Sequence, residues 1–140
     1  MKTSKPYNAF IGRYQSPHKG HMAIFNEYLR KNEPVLIMIR DVPTDEKNPF
    51  TSNEVMTLWN KVYFKEIEEG LVKIMIVPDI SSVNYGRNVG WSIVEIQVND
   101  NIANISASEI RSKIRNGDES WKDLVDESIH KDLEELLKAD

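Results

Sequence analysis

The chain has 140 residues and a formal net charge of −4 at pH 7, with three histidines and no cysteine. This length predicts a single domain over residues 1–140. The lack of cysteine excludes disulfides, thiolate metal sites and a cysteine nucleophile, and it favours a cytoplasmic location. No apolar run reaches the roughly 18 residues of a membrane span, so we expect no membrane partner.

The charge is unevenly distributed along the chain. Residues 1–26 contain no acidic residue and carry four cations, whereas residues 117–140 carry nine acidic residues against three lysines. A local basic region in an acidic protein suits a small phosphorylated ligand better than a long nucleic-acid backbone. The sequence therefore predicts a phosphorylated small molecule as partner and no nucleic acid.

The first half of the chain alternates strand and helix patterns. Residues 7–12 read as a buried strand that ends at Gly12, and a helix is expected over about 18–31, with Met22, Phe25 and Leu29 facing the core. The continuous apolar run at 35–39 predicts a strand covered on both faces. A polar loop at 40–50 precedes a helix whose N-cap is Thr51 or Ser52. The inward residues of that helix are Val55, Leu58, Trp59 and Val62.

The second half predicts a third strand at 71–77, a long loop at 78–92 and an exposed or edge strand at 93–98. Ser106 or Ser108 is expected to cap a short helix. Residues 119–139 are expected to form the last helix, whose inward residues are Val125, Ile129, Leu133 and Leu136. Strands separated by helices indicate an α/β fold with a mostly parallel sheet. Ligands of such sheets bind beyond the carboxyl ends of the strands, where Gly12 and Arg13 fall.

The run GRYQSPHKGH at residues 12–21 concentrates groups that bind phosphate. Gly12 would allow close approach of the backbone to a phosphate, and the following helix N-terminus favours an anion. His18 and His21 are three residues apart on one helical face, with Gly20 between them keeping that face open. Lys19 and Arg13 add positive charge.

Other readings of the histidines and glycines are weaker. The only further histidine is His130, near the other end of the chain, and no HExxH pattern occurs. We therefore expect no protein-bound metal site. A Walker loop and a GxGxxG fingerprint are also absent.

The run ISASEIR at 105–111 is a second candidate for phosphate binding. Ser108 near a helix N-terminus can bond a phosphate oxygen, and Arg111 one turn later faces the same way with a planar guanidinium that suits β- and γ-phosphates. An ordinary serine cap followed by a solvated arginine is the plainer alternative.

The two runs together resemble the nucleotidyltransferase superfamily. Its members carry a His-x-Gly-His motif after the first strand, here His18–His21, and a second signature of Ser/Thr residues and an arginine, here Ile105–Arg111. The Gly-Arg-aromatic-Gln opening resembles the archaeal-type nicotinamide-mononucleotide adenylyltransferases. It is less similar to the glycerol-phosphate and choline-phosphate cytidylyltransferases. The resemblance implies a Rossmann-like nucleotidyltransferase fold.

The resemblance also implies a reaction: transfer of a nucleotidyl group from a nucleoside triphosphate to a phosphorylated acceptor, with release of pyrophosphate. ATP and an acceptor of the nicotinamide-mononucleotide type are expected, with Mg²⁺ bound mainly through the nucleotide phosphates. Two alternatives stay open. One is a cytidylyltransferase that uses CTP and a sugar or polyol phosphate, and the other is a nucleotide-binding module without catalysis.

Roles for individual residues follow from the resemblance. The expected catalytic residues are His18, His21 and Arg111. The expected nucleotide-binding residues are Gly12, Arg13, Tyr14, Lys19, Gly20, Ile105, Ser106 and Ser108.

The middle of the chain gives weaker indications. Acceptor contacts are expected from Arg40, Asn48, Asn84, Tyr85 and Arg87. Asp41 and Asp79 end strands, where they could hold Mg²⁺ through water but more often cap turns. A homo-oligomer is also expected, with the strand at Trp91 and Ile93 as a candidate interface.

Overall fold

The computed structural model describes residues 5–96 and 105–138. Three parallel strands form its sheet in the order β1-β2-β3: β1 Asn8–Gly12, β2 Val35–Asp41 and β3 Val72–Pro78. Asn8 is in register with Val35, and Val35 with Val72. The predicted parallel α/β fold, of the Rossmann-like kind, is confirmed. No helix in the described ranges is long and apolar enough to cross a membrane.

Five α-helices accompany the sheet within the described residues. They are α1 Lys19–Arg30, α2 Ser52–Val62, α3 Phe64–Glu68, α4 Ala107–Asn116 and α5 His130–Lys138. The first, second and fourth match predicted helices. The short α3 was not predicted, and neither were two 3₁₀ turns that precede α5, at Glu119–Leu124 and Glu127–Ile129.

The core has an aromatic half beside the sheet and an aliphatic half beneath α4 and α5. Trp59 of α2 is fully buried and packs edge-on against Tyr14 and Phe25, with ring centroids 5.5 and 5.4 Å away, while the Tyr63 ring stacks on it. The aliphatic half is formed by Ile110, Ile114, Ile129, Leu133 and Leu137, together with Trp121 and Val125. One hydrophobic core therefore includes residues of α4 and α5 as well as residues of α1 and α2, the helices near the first motif.

Strand β1 differs from the predicted buried strand. It lies at one edge of the three-stranded sheet, and its residues alternate between half-buried and exposed, with Ile11 41% exposed. Strand β2, in the middle, buries Val35, Ile37 and Ile39 completely. Leu36 and Met38, on the other face of β2, are half-buried. The strand predicted to be covered on both faces is therefore fully buried on one face and half-buried on the other.

The predicted strand at 93–98 is wrong over its described part. Residues 93–96 form no strand, and Ile93, Val94 and Ile96 are more than half exposed; residues 97 and 98 lie outside the described ranges. An alternating pattern indicates the faces of a strand but does not supply the hydrogen-bonded neighbour that a strand requires.

The predicted helix at 119–139 is interrupted. Val125, between the two 3₁₀ turns, has extended backbone (φ −130°, ψ 142°), and α5 begins only at His130. Asp118 and Asp126 each accept a hydrogen bond from the backbone N–H two residues later, which favours turns over a continuous helix. Val125, Ile129 and Leu133 are buried as predicted, while Leu136 is half-buried.

The N-cap of α2 yields a stability prediction. The Thr51 hydroxyl accepts from the Glu54 N–H at 3.1 Å, and the Glu54 carboxylate accepts from the Thr51 N–H at 2.8 Å. Thr51→Ala removes the hydroxyl of this capping box and is expected to lower the free energy of unfolding by about 1 kcal/mol. Urea denaturation measures the change.

Thr57→Ala is the matched control, because Thr57 lies in the same helix, is exposed and caps nothing. Its loss should be smaller than that of Thr51→Ala, since alanine is the better residue inside a helix. Equal losses in the two variants would contradict the cap.

Candidate functional site

Two histidines cap helix α1 reciprocally, just beyond the carboxyl end of β1. His18 is the N-cap, and its Nδ1 accepts from the Gly20 N–H at 3.0 Å. The Nδ1 atom of His21 accepts from the His18 N–H at 3.2 Å. The two rings stack with centroids 3.8 Å apart and planes 15° from parallel. The two imidazoles thus accept the two backbone N–H groups that a Ser/Thr and a Glu/Gln side chain accept in a standard capping box.

This cap fixes the protonation of both rings. A nitrogen that accepts a hydrogen bond carries no proton, so each neutral ring holds its proton on Nε2. Burial lowers the pKa of His18 to about 4, and burial together with the neighbouring His18 lowers the pKa of His21 well below its usual value. Both side chains are therefore neutral at pH 7 and present Nε2–H groups as donors.

Tyr14 lies in the core rather than at an open surface. Its ring is 8% exposed, packs edge-on against His21 at 4.9 Å, and burial raises the pKa of its hydroxyl. The Tyr14 ring therefore has a packing role, and the nucleotide contact expected of Tyr14 stays a prediction. Gly12 serves that packing, because a Cβ there would come within 2.9 Å of the Tyr14 ring. Tyr14 itself adopts φ 52°, which is uncommon for a residue other than glycine.

Gln15 connects the first motif to the loop before α2, and sequence analysis gave it no role. Its side-chain amide forms two hydrogen bonds with one residue: Nε2 donates to the Phe50 carbonyl at 3.0 Å, and Oε1 accepts from the Phe50 N–H at 2.9 Å. Both residues are buried. The only sequence signal was a polar residue within the motif, and nothing local indicated a partner 35 residues away.

Arg111 brings the second motif to the same place. Its guanidinium is buried, with 6% of the residue exposed, and donates to the backbone carbonyl of Gln15. It forms no ion pair with a carboxylate in the described part of the chain. Burial first, and then the charges of Arg115 and Arg13, lower its pKa. A buried cation without an anionic partner is costly, and a phosphate group would supply that partner.

The serines of the second motif lie at the start of α4. The Ser106 hydroxyl is the N-cap and accepts from the Glu109 N–H at 3.5 Å, so the cap is Ser106 rather than Ser108. Ser108 is exposed, and its hydroxyl lies 2.9 Å from that of Ser106. Ile105 packs against the core. Ser108 and Arg111 line a common cleft beside the helix.

The remaining residues of the first motif differ in exposure. Arg13 and Lys19 are exposed, whereas Gly20 is buried in the first turn of α1. The charge of Arg13 acts on Arg111 and on Asp45. Arg13 therefore extends the positive potential of the two motifs toward solvent.

The strand-end residues Arg40, Asp41 and Asp79 are engaged within the protein. Arg40 forms an ion pair with Asp79, in which the guanidinium Nη2 lies 2.6 Å from the carboxylate Oδ1. That oxygen also accepts from the Ile80 N–H. Asp41 accepts from the Ser52 hydroxyl at 3.0 Å and so fastens the end of β2 to the start of α2. These aspartates thus cap and pair, and residues 5–96 and 105–138 contain no cluster of three metal-binding side chains.

The predicted acceptor contacts separate into two groups. Asn48 is buried next to the Gln15–Phe50 junction, its Nδ2 donates to Asp45, and its Oδ1 is buried without a hydrogen-bond partner in the described ranges. Asn84, Tyr85 and Arg87 lie in an exposed segment. Within residues 5–96 and 105–138, no hydrogen bond or ring contact connects that segment to the two motifs, so of these four residues the structure brings only Asn48 to the site.

Comparison with known proteins supports the superfamily indicated by the motifs. No family model matches the chain. A nicotinamide-nucleotide adenylyltransferase of Sulfurisphaera tokodaii is 24% identical over 91% of this chain and 90% of its own length. The enzymes of the same name from Pyrococcus abyssi and Pyrococcus furiosus are each 26% identical over 91% of this chain and 82% of their own length.

The histidine cap predicts a specific pH dependence of stability. The folded pKa of His18, about 4, lies below the unfolded value near 6.5, so the unfolded state binds the proton more readily in that window. Stability should therefore fall as the pH drops from 6.5 toward 4. His18→Asn keeps an N-cap acceptor but cannot titrate.

Urea denaturation at pH 7.5 and pH 4.5 measures the effect. The wild type should lose about 2–3 kcal/mol more than His18→Asn between the two pH values. This is the part of the His18 shift that lies above pH 4.5, about two units, converted at about 1.36 kcal/mol per pKa unit. The same loss in both proteins would show that His18 is not held neutral.

Proposed function

We propose that this chain, a member of the nucleotidyltransferase superfamily, transfers the adenylyl group of ATP to nicotinamide mononucleotide and releases pyrophosphate. The observation that carries the proposal is the neutral histidine pair at the start of α1, joined through Gln15 to the buried Arg111. The relatives named nicotinamide-nucleotide adenylyltransferase support the choice of ATP and of this acceptor.

In the proposed reaction an oxygen of the acceptor phosphate attacks the α-phosphorus of ATP. The bond from that phosphorus to the oxygen bridging the α- and β-phosphates breaks, and pyrophosphate leaves with the bonding electrons. The acceptor phosphate is already a nucleophile, so the reaction needs no general base. Catalysis then consists of positioning the reactants and stabilising negative charge, as in other phosphoryl transfers.

The histidines would act as neutral donors to the α- and β-phosphates. Each Nδ1 is committed to a backbone N–H, so each ring has only its Nε2–H to offer a phosphate oxygen. Donors held in place before the reaction stabilise charge that develops in the transition state without reorganising. Because both pKa values are depressed, this donation would not change between pH 6 and pH 8.

The second motif would hold the β- and γ-phosphates. Arg111 is fixed by the Gln15 carbonyl and keeps further N–H groups for the ligand, and the Ser108 hydroxyl is exposed at the same cleft. Arg13, Lys19 and the backbone of the turn would complete the phosphate site. We propose that ATP enters as its Mg²⁺ complex, with the ion held mainly by the phosphates and by water.

The acceptor side is supported by fewer contacts. The buried Oδ1 of Asn48 is a hydrogen-bond acceptor without a partner in the described residues, and it suits an N–H group of a base or of a carboxamide. A cytoplasmic location and a homo-oligomer, with exposed Trp91 and Ile93 as its interface, remain predictions.

An assay of pyrophosphate release decides among the activities. ATP and CTP are each tested with nicotinamide mononucleotide and with a panel of sugar and polyol phosphates. The proposal predicts the fastest release with ATP and nicotinamide mononucleotide. Preference for CTP with a polyol phosphate would establish the cytidylyltransferase instead, and nucleotide binding without release would establish a binding module.

His21 gives the sharpest mutational prediction. His21→Ala should lower kcat by about 10²–10³-fold, as the loss of one preorganised donor does, while the KM for ATP changes little. His21→Gln is the matched variant, because glutamine is a standard residue at this position of a capping box and carries an amide donor. It should retain wild-type stability and recover part of the rate. Unchanged turnover in a folded His21→Ala protein would refute the role.

A further inference from the structure

One face of the sheet is left partly open in the described part of the chain. Because connections between parallel strands are right-handed, the strand order β1-β2-β3 puts α1 and α2 on the same face. Phe10 faces those helices, and its ring lies 5.1 Å from that of Phe25 in α1. The next residue along each strand points to the opposite face, and these residues are in register with one another: Ile11, Met38 and Met75.

This open face is apolar across all three strands. Ile11 is 41% exposed, Met75 is 40% exposed, and Met38 between them is half-buried. Neighbouring strands are about 4.8 Å apart, so the three side chains form a row about 10 Å long. Parallel sheets are normally covered on both faces, because their side chains are apolar on both. The row therefore lacks part of the cover that a parallel sheet normally has.

A second apolar surface lies in the segment that follows β3. Residues 83–96, here named the strap, form no helix or strand. Trp91 is 63% exposed and Ile93 is 71% exposed. The chain bends just before these two residues, where Asn88 (φ 64°) and Gly90 (φ 80°) adopt left-handed backbone. The strap thus contains a bend that can direct its second half back toward the sheet.

The chain is long enough for the strap to reach the open face of its own sheet. Strand β3 ends at Pro78, and Met75 lies three residues back along the strand, about 10 Å away. Residues 79–90 span up to ~40 Å when extended, so they can turn at the edge of the sheet and return. A short connection of this kind gives an effective concentration of about millimolar, which favours the chain's own strap over that of a second copy.

The charges on the two surfaces are complementary. On β3, Lys73 lies two residues before Met75, so it is on the same face, and it is exposed. On the strap, Glu95 lies two residues after Ile93 and is exposed as well. Neither charged group forms an ion pair in the part of the chain that the structure describes. A strap that runs against the direction of β3 therefore places Ile93 on Met75 and Glu95 on Lys73.

We propose that the strap closes over the open face of its own sheet. Trp91 and Ile93 would then cover the apolar row, and Glu95 would pair with Lys73. Closure would also hold residues 79–90 along the edge of the sheet where the two phosphate-binding motifs lie, and this consequence rests on the proposed function. The closed strap is an alternative to the oligomer interface predicted for Trp91 and Ile93.

A disulfide between introduced cysteines tests the contact, because the chain has no cysteine of its own. In the Met75→Cys/Ile93→Cys variant the bond should form within one molecule when oxidised glutathione is added, as identified by mass spectrometry of tryptic peptides. The control is Phe64→Cys/Ile93→Cys, since Phe64 is 63% exposed but lies in α3, within the connection on the helix-covered side of the sheet. The first pair should form at least about tenfold faster. Equal rates would contradict the closure.

Tryptophan quenching gives a second readout that needs no introduced cysteine. Trp91 is exposed, whereas Trp59 and Trp121 are buried, so neutral acrylamide quenches mainly Trp91 when the strap is open. Lys73→Glu brings like charges together and should raise the quenching constant about twofold. Adding Glu95→Lys reverses the pair and should restore the wild-type value. No rise in Lys73→Glu, or no recovery in the double variant, would refute the proposed position of the strap.

The two measurements also separate the closed strap from its alternatives. A disulfide that joins two molecules, seen as a dimer in gels without reductant, would refute the strap and establish an interface between copies. Neither measurement involves a nucleotide. The strap therefore stands if the assay of pyrophosphate release fails, and an active enzyme in which Trp91 is quenched equally in all variants would refute the strap alone.

Discussion

The candidate site depends on the buried hydrogen bonds of Gln15. Its amide satisfies both backbone groups of Phe50, and its carbonyl accepts from Arg111. The turn after β1, the loop before α2 and helix α4 therefore meet at one residue, although Arg111 is 96 positions further along the chain. Loss of one member would leave buried polar groups unpaired, which typically costs about 1–3 kcal/mol for each group.

The histidine cap shows how local folding and chemistry share the same atoms. The backbone of α1 requires acceptors at its N-terminus, and the Nδ1 atoms of His18 and His21 provide them. This use determines the tautomer and leaves each Nε2–H as a donor. Burial keeps both rings neutral, and the His21 ring is buried beside Tyr14 and Trp59. The donors proposed for catalysis are thus a consequence of how the helix begins.

Patterns confined to a few residues predicted the fold well. The apolar run of β2, the capped start of α2 and the two motifs each depend on neighbours in sequence, and the structure has these elements where they were expected. The predicted strand at 93–98 is wrong over its described part because a strand also needs a hydrogen-bonded partner, which its own pattern does not reveal. The prediction of one continuous last helix is wrong at Val125, because apolar residues at helical spacing can also face the core from 3₁₀ turns.

The site was predictable in composition but not in assembly. The motifs identified His18, His21 and Arg111, while Gln15 and the packing role of Tyr14 depend on contacts that no local pattern encodes. Long-range contacts decide which of the polar residues in a motif face a ligand and which hold the motif together.

The central claim is that the two motifs act on one polyphosphate, and a double-mutant cycle tests it most directly. The kcat/KM for pyrophosphate release from ATP with nicotinamide mononucleotide is measured for His21→Gln, Arg111→Lys and the double variant. Residues that act together in one transition state should be coupled by about 1–3 kcal/mol, so the double loss should differ from the product of the single losses by about tenfold. Single losses that simply multiply would contradict a shared site.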